Sequence, residues 1–255
     1  METLPYLVPL FFLTALSYST AGFGGGSTYL ALLALFSFPY AAMPQTALFC
    51  NLIVVSGGCI LFIRQGTLSW QRILPFVVTS IPFAYLGGRM PIGKKLFTLL
   101  LALSLLSAAL RLLLSEETVT GDRIFDVKQT WKVGPPVGAA LGFISGLVGI
   151  GGGIFLSPLL LIMKWADARQ AAAAASFFIL VNSLAGLFGQ ITKGGTHLAW
   201  QMMLPLLAAV FAGGQIGTRL GTMRLSKLSL QRITAVLILS VSVRLFWGLW
   251  VGGVQ

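Results

Sequence analysis

Two glycine clusters of the same form offer backbone amides as ligands for an anion. They read Gly22-Phe23-Gly24-Gly25-Gly26 and Gly149-Ile150-Gly151-Gly152-Gly153, half a chain length apart within apolar stretches. Glycine is a poor helix former, so each cluster should break a helix. A helix that restarts there has unpaired N–H groups and the positive end of its dipole, which together favour anions. Two such starts could hold one oxyanion without a buried lysine.

Close helix packing is the alternative explanation of the glycines. The pairs Gly22/Gly26, Gly149/Gly153 and Gly142/Gly146 each have the GxxxG spacing that lets membrane helices approach. Two matched clusters nevertheless favour broken helices over packing alone. A dinucleotide loop is not expected, because the spacing is not GxGxxG and no βαβ unit surrounds it.

An asparagine lies in the apolar span that follows each cluster. Asn51 precedes Gly58 by seven residues and Asn182 precedes Gly189 by the same number, which places each pair on one helix face. A buried amide must bond to protein, water or ligand, so an interhelical hydrogen bond and a ligand contact are equally good interpretations. The predicted substrate-binding residues are Gly24, Gly25, Gly26, Ser27, Asn51, Gly151, Gly152, Gly153 and Asn182.

The composition is that of a polytopic membrane protein. Hydrophobic residues make up 56% of the 255-residue chain and charged residues 9%, against about 25% charged in soluble domains. The net charge of +11 lies in short loops, which is typical of the positive-inside rule rather than of nucleic-acid binding. One histidine and six acids leave little for a metal site or an enzyme; no cofactor and no catalytic residue is predicted.

Eight apolar spans predict an all-α integral membrane protein of about eight transmembrane helices in two similar four-helix halves. The first and fifth spans are too long for one straight crossing, so the first helix of each half should be broken at its glycine cluster. The predicted units are residues 1–114, a polar connector 115–133, and 134–255. The spans are 5–36, 44–63, 72–88, 96–114, 134–163, 170–190, 200–217 and 228–250.

The basic loops predict an orientation. The connector around Arg89 and Lys94 corresponds to the one around Arg219 and Lys227, and both should be cytoplasmic. Four crossings per half would then make the repeats parallel, with both termini outside. A re-entrant segment after each glycine cluster is the alternative, and it would invert one half relative to the other.

Four further basic residues lie close to apolar spans. Arg111 and Arg244 come near span ends, where snorkelling of the side chain to the interface explains them. Arg64 and Lys193 flank polar loops. Attraction of anions and anchoring at the interface are equally good explanations there.

These features resemble the TauE/SafE family of membrane permeases, the sulfite exporter or toluene sulfonate uptake permeases. The resemblance covers nearly the whole chain, and the stretch GLVGIGGGIFLSPLLL from Gly146 to Leu161 matches more closely than the first copy, which continues Ser27-Thr28-Tyr29. It implies transport of small sulfur-containing anions such as sulfite, sulfoacetate or other organosulfonates, often as efflux.

The sequence hypothesis is therefore a secondary transporter that exports a small oxyanion, in a multi-pass arrangement in a bacterial inner membrane. Its expected partners are the anionic substrate, the lipid bilayer, a coupling ion such as H⁺ or Na⁺, and a second copy of the chain in a homodimer. An anion channel and an accessory subunit of another membrane complex are the alternatives.

Overall fold

The computed structural model describes residues 3–20, 22–114, 127–194, 200–220 and 227–250, and their regular structure is entirely α-helical. The helices, in chain order, are α1 (Leu4–Thr20), α2 (Gly26–Leu35), α3 (Met43–Arg64), α4 (Trp70–Arg89), α5 (Lys94–Leu114), α6 (Val127–Val148), α7 (Gly153–Ile162), α8 (Ala168–Gly194), α9 (Trp200–Leu220) and α10 (Lys227–Trp250).

Both predicted helix breaks are confirmed. The chain leaves α1 at Thr20 and restarts at Gly26, and it leaves α6 at Val148 and restarts at Gly153. The residue before each new helix has a left-handed backbone, with φ of +81° at Gly25 and +77° at Gly152. Glycine adopts that conformation without the clash that a Cβ would cause.

The first broken pair is a helical hairpin. The rings of Phe11 and Tyr29 stack with centroids 4.8 Å apart, and those of Tyr6 and Phe36 lie 6.5 Å apart. Residues near the beginning of α1 therefore meet residues near the end of α2, which requires α2 to fold back along α1. The hairpin begins and ends at the same end of the bundle.

The second broken pair folds back in the same way. Trp165, just after α7, packs against Phe76 of α4 at 6.4 Å. Phe76 in turn contacts Gly138, near the middle of α6. The chain that left α6 at Val148 has therefore returned alongside it. The helix α6 also begins earlier than predicted, since residues 127–133 of the expected connector are helical.

Helices α3 and α8, which carry the two asparagines, run antiparallel. A Cβ at Gly58 would lie 3.7 Å from Ser176 Oγ, and Gly186 contacts Leu48 at the other end of the same pair. The side chain of Arg169 donates a hydrogen bond of 2.8 Å to Gln65. The prediction of parallel repeats is therefore wrong: α3 and α8, which occupy corresponding positions in the sequence, run in opposite directions.

The bundle has two ends, which we name after α3: the Met43 end, where α3 begins, and the Arg64 end. Helix α9 runs parallel to α3, since Phe49 meets Trp200 and Gly57 lies beside Gln215. Helix α4 follows a short turn after α3 and returns to the Met43 end. Arg89 at the end of α4 and Arg219 at the end of α9 consequently lie at opposite ends of the bundle, which is inconsistent with the prediction that both are cytoplasmic.

Small residues permit the closest helix contacts. A stripe of glycines on α6 packs against the backbone of α4 along its length, leaving no room for a Cβ. The glycine pair Gly213 and Gly217 of α9 does the same against α1. The packing interpretation is thus correct for Gly142 and Gly146, which lie within α6. The α6 stripe consists of Gly134, Gly138, Gly142 and Gly146.

The outer surface is suited to lipid. Large apolar side chains face outward on several helices, for example Phe188, Phe211 and Trp250, and a surface of that kind needs an apolar environment. Within the described ranges, three helices are long and apolar enough to cross a bilayer unaided: Met43–Arg64, Arg169–Gly194 and Trp200–Arg219. Four apolar helices are shorter: Leu4–Thr20, Gly26–Leu35, Gly153–Ile162 and Ile238–Trp250.

Candidate anion-binding site between the helix breaks

The two helix breaks meet at Asn51. This side chain is fully buried near the middle of α3, and its Nδ2 donates a hydrogen bond of 3.1 Å to the carbonyl oxygen of Ile150 in the second glycine cluster. Gly24 and Gly26 of the first cluster lie against the same amide. One asparagine therefore connects two breaks that are half a chain apart.

The contact is too close for any residue other than glycine. A Cβ at Gly26 would lie 2.6 Å from the Ile150 oxygen and 2.6 Å from Asn51 Nδ2. A Cβ at Gly151 would lie 2.9 Å from Asn51 Nδ2. The glycines thus allow close approach of the backbone as well as the turn, so packing and helix breaking are both correct interpretations of the clusters.

Each new helix begins with amides that have no helical acceptor. The earliest amides with a capping bond are those of Thr28, which donates to Gly25 O at 2.9 Å, and Phe155, which donates to Gly152 O at 3.1 Å. Neither N-cap has a side-chain acceptor, since both are glycine. Helix geometry therefore leaves the two amides before Thr28 and the two before Phe155 without an intrahelical acceptor, at the positive ends of two helix dipoles.

Two buried serines lie beside the second break, and a third lies on α8 facing α3. Ser183 Oγ lies 3.2 Å from the Cβ position of Gly151, and the Cβ of Ser145 lies 3.4 Å from that of Gly152. Ser176 Oγ lies beside Gly58 on the facing helix. Among the described residues none of the three hydroxyls has a hydrogen-bond partner. A hydroxyl can donate to an oxyanion, so they add to the donor set.

The predicted site residues divide into two groups. Gly24, Gly26, Asn51 and Gly151 come together as described, and Ser27 is buried in the first turn of α2. The other members of the clusters have different neighbours: Gly25 lies against Thr14 and Tyr18, Gly152 against Phe178 and Ser145, and Gly153 against Ile179 and Ala175.

Asn182 differs from Asn51 in its bonding. It is fully buried, and its Nδ2 donates to Phe178 O, one turn earlier in the same helix, at 2.9 Å. Its Oδ1 has no partner among the residues that the structure describes. Asn182 adjoins Ser183, which contacts Gly151. It is thus close in sequence to the site but does not tie the two breaks together.

Ser145 is not among the residues predicted for the site. This residue lies one turn before the second cluster, and the Gly149 amide donates to its carbonyl at 2.8 Å. The available signal was its position: a serine on the last turn before a helix break has its hydroxyl near the break.

A cavity of about 340 Å³ opens at the Met43 end and approaches the second break. Pro44 and Leu147 line its inner part, and a Cβ at Gly149 would lie 2.6 Å from Pro44 Cα. Gln190 and Lys193, in the last turns of α8, line it as well. Through Pro44 and Leu147, the wall of this cavity lies next to the second glycine cluster.

The apolar helices and the relatives given below define an α-helical, multi-pass membrane transporter, whose described residues bring together amides, hydroxyls and one carboxamide at the two helix breaks. The family model for the sulfite exporter TauE/SafE matches residues 7–245. The chain belongs to the TauE/SafE family.

Relatives agree with this assignment. The chain is 34% identical to the probable membrane transporter protein y4hK of Sinorhizobium fredii, over 93% of this chain and 96% of that protein. It is 28% identical to the probable membrane transporter protein MJ0441 of Methanocaldococcus jannaschii, over 74% and 73%, and 24% identical to YunE of Bacillus subtilis, over 77% and 79%. No solved structure matches the chain significantly.

Proposed function

We propose that this protein is a secondary transporter that exports a small sulfur-containing oxyanion, such as sulfite, sulfoacetate or another organosulfonate. The observation that carries the proposal is the meeting of two uncapped helix starts at Asn51. Broken helices whose positive ends face a central site are how several transporter folds hold anionic groups. The description of the family as sulfite exporters supports the choice of anion.

The substrate-binding set in this proposal has backbone and side-chain parts. The amides at the starts of α2 and α7, within Gly24–Ser27 and Gly151–Ile154, would face the oxyanion. Asn51 and Asn182 would orient it, and the buried hydroxyls would replace its water. No lysine or arginine is needed, because two helix dipoles contribute about half a positive charge each.

The two halves form an inverted pair in the proposed topology. Each half would contribute one re-entrant hairpin and three crossings, so that the hairpins α1–α2 and α6–α7 enter from opposite sides. Antiparallel α3 and α8 support this topology. It is the alternative from the sequence in which each half has a re-entrant segment. Inverted repeats of this kind place the substrate between them and permit alternating access.

The distribution of basic residues suggests which end is cytoplasmic. Among the basic residues whose side chains the structure describes, the Arg64 end carries more than the Met43 end, so we assign the Arg64 end to the cytoplasm of a bacterial inner membrane. Both termini would then lie outside. At the Arg64 end lie Arg64, Arg72, Lys128, Lys132, Lys164, Arg169 and Arg219; at the Met43 end lie Arg89, Lys94, Lys95, Lys193 and Arg244.

Flux measurements on the purified protein test the proposal. In proteoliposomes loaded with unlabelled sulfite, external radiolabelled sulfite should accumulate transiently by counterflow, and sulfoacetate should compete with it. Phosphate-loaded vesicles are the control for nonspecific exchange. Linear, non-saturating flux would indicate a channel instead. Neither binding nor flux of any sulfur oxyanion would overturn the substrate assignment and favour an accessory subunit.

A further inference from the structure

The cavity at the Met43 end has a single cationic side chain in an otherwise uncharged wall. Of the described residues that line it, Lys193 is the charged one, while Tyr40, Pro44, Phe97 and Leu147 provide aromatic or apolar surface. A charge beside low-dielectric walls produces a stronger local field than the same charge on an open surface. The cavity is therefore suited to concentrating anions.

The cavity also leads toward the proposed site. Its wall includes Leu147, in the last turn of α6 before the break, and Pro44, which contacts Gly149. Gln190, one turn before Lys193 on α8, donates a hydrogen bond of 3.1 Å from Nε2 to Gly146 O. This bond holds the cavity wall to α6 close to the second glycine cluster.

The corresponding place in the other half is filled. Lys193 follows Asn182 by the same number of residues as Phe62 follows Asn51 (193 − 182 and 62 − 51 are both 11). The ring of Phe62 lies directly against Gly22, where a Cβ would be 2.5 Å from its Cε2. An aromatic ring thus covers the first cluster from the Arg64 end, whereas the lysine lines an open cavity at the Met43 end.

We infer that the cavity at the Met43 end is the outer vestibule of the transport path, which the anionic substrate leaves on export and enters during exchange, with Lys193 as its anion-recruiting residue in the entry direction. The inference rests on the proposed function and adds a peripheral binding step to it. Lys193 attracts the anion into the cavity, and the uncapped amides beyond Gly149 then bind it. The lysine acts before the central site is occupied, so it affects apparent affinity rather than the maximal rate.

The vestibule assignment is tested by removing one positive charge at each end of the bundle. Lys193→Gln should raise the half-saturation concentration for sulfite presented from the Met43 end about 5–10-fold, as expected for loss of a nearby charge in a cleft, with the maximal rate unchanged. Raising the ionic strength should weaken the wild type more than the variant. Lys193→Arg should retain wild-type behaviour. Arg64→Gln, at the end of α3, is the matched control and should match the wild type.

Rebuilding the charge chemically provides a second readout. Lys193→Cys can be treated with membrane-impermeant thiol reagents, which also identify vesicles whose Met43 end faces outward. A reagent that adds an ammonium group should restore the low half-saturation concentration, and one that adds a sulfonate should raise it further. Wild-type protein, whose Cys50 and Cys59 are both buried, should be unaffected by either reagent.

The outcomes separate the two proposals. Suppose that the wild type shows saturable sulfite counterflow, and that Lys193→Gln and both modified forms of Lys193→Cys have the same half-saturation concentration as the wild type. The vestibule assignment is then wrong, and the proposed function stands. If the wild type moves no sulfur oxyanion, both fail. A change in maximal rate alone would place Lys193 in the conformational cycle and overturn its role in recruitment.

Discussion

The two glycine breaks have the same backbone design but different surroundings. At each one a helix restarts after a left-handed glycine without a side-chain cap. The asparagine of the first half bonds across to the second break, however, while that of the second half bonds within its own helix. The first cluster is covered by Phe62, and the second adjoins a cavity.

This difference teaches that the two breaks share a backbone form without sharing the same access. An alternating-access transporter with inverted halves must be asymmetric at any moment, because the two sides cannot be open together. The open cavity at the Met43 end and the aromatic cover toward the Arg64 end are consistent with a state that faces outward in the proposed orientation. Each prediction below tests one part of this contrast.

The largest effect is expected from filling the left-handed glycines. Gly152→Val should abolish transport, because a β-branched residue at φ of +77° costs about 1–3 kcal/mol and its Cβ would lie 2.9 Å from the Phe178 ring. Gly25→Val should do the same at φ of +81°. The measurement is sulfite counterflow, divided by the amount of folded protein that size-exclusion chromatography shows.

Gly66 supplies the matched control for this experiment. It also has a left-handed backbone, with φ of +64°, but a Cβ there would meet nothing within 4 Å. Gly66→Val has a similar backbone strain without affecting the breaks, so it should keep its transport. Wild-type flux in Gly152→Val and Gly25→Val would mean that the clusters are spacers between helices.

The sequence was sufficient to locate the breaks and the central asparagine. Glycine runs inside apolar stretches predict where helices stop, and a lone amide at a buried position predicts a polar contact. The composition does not predict whether the chain turns back or continues after a break. The apolar residues 5–36 would suit a hairpin as well as a straight crossing. Contacts such as the Phe11–Tyr29 stack decide it, and they depend on the folded structure.

The partner of Asn51 was equally beyond sequence reasoning. Asn51 and Asn182 occupy corresponding positions, and the residues alone favoured equal roles for them. Which one bonds across depends on how α3 and α8 pack against the two breaks. The serines illustrate the same limit: Ser145 and Ser183 are ordinary small helix residues until packing places them beside glycines.

The next largest effect should distinguish the two asparagines. Asn51→Leu removes the bond to Ile150 O and leaves a buried acceptor unpaired, which should cost about 1–3 kcal/mol of unfolding free energy. Asn182→Leu removes only a bond to its own helix, so its loss of stability should be clearly smaller. Both should weaken sulfite binding. Thermal unfolding in detergent and binding calorimetry check the pair, and equal losses of stability would show that the bonding difference is incidental.

A smaller effect is expected from uncovering the first cluster. Phe62→Ala should open a path from the Arg64 end, so that native Cys59, one turn earlier on α3 and 2% exposed, becomes reactive toward an impermeant thiol reagent. The labelling rate from that end should rise several-fold, whereas Phe211→Ala, which removes an outward-facing ring, should not change it. Unchanged labelling in Phe62→Ala would mean that this ring does not close the path.

The smallest effect is expected from removing a hydrogen bond at the end of the first hairpin. Arg244 Nη1 donates a hydrogen bond of 3.2 Å to Leu35 O at the end of α2, where a cation also complements the helix dipole. Arg244 was predicted to snorkel, and the observed bond gives it a second role. Arg244→Met should therefore destabilise this exposed contact by only about 0.5 kcal/mol. Hydrogen exchange should become faster in Gly26–Leu35 and remain unchanged in Gly153–Ile162, with Arg244→Lys restoring protection. Equal acceleration in both hairpins would show that Arg244 stabilises the bundle as a whole rather than one of its two breaks.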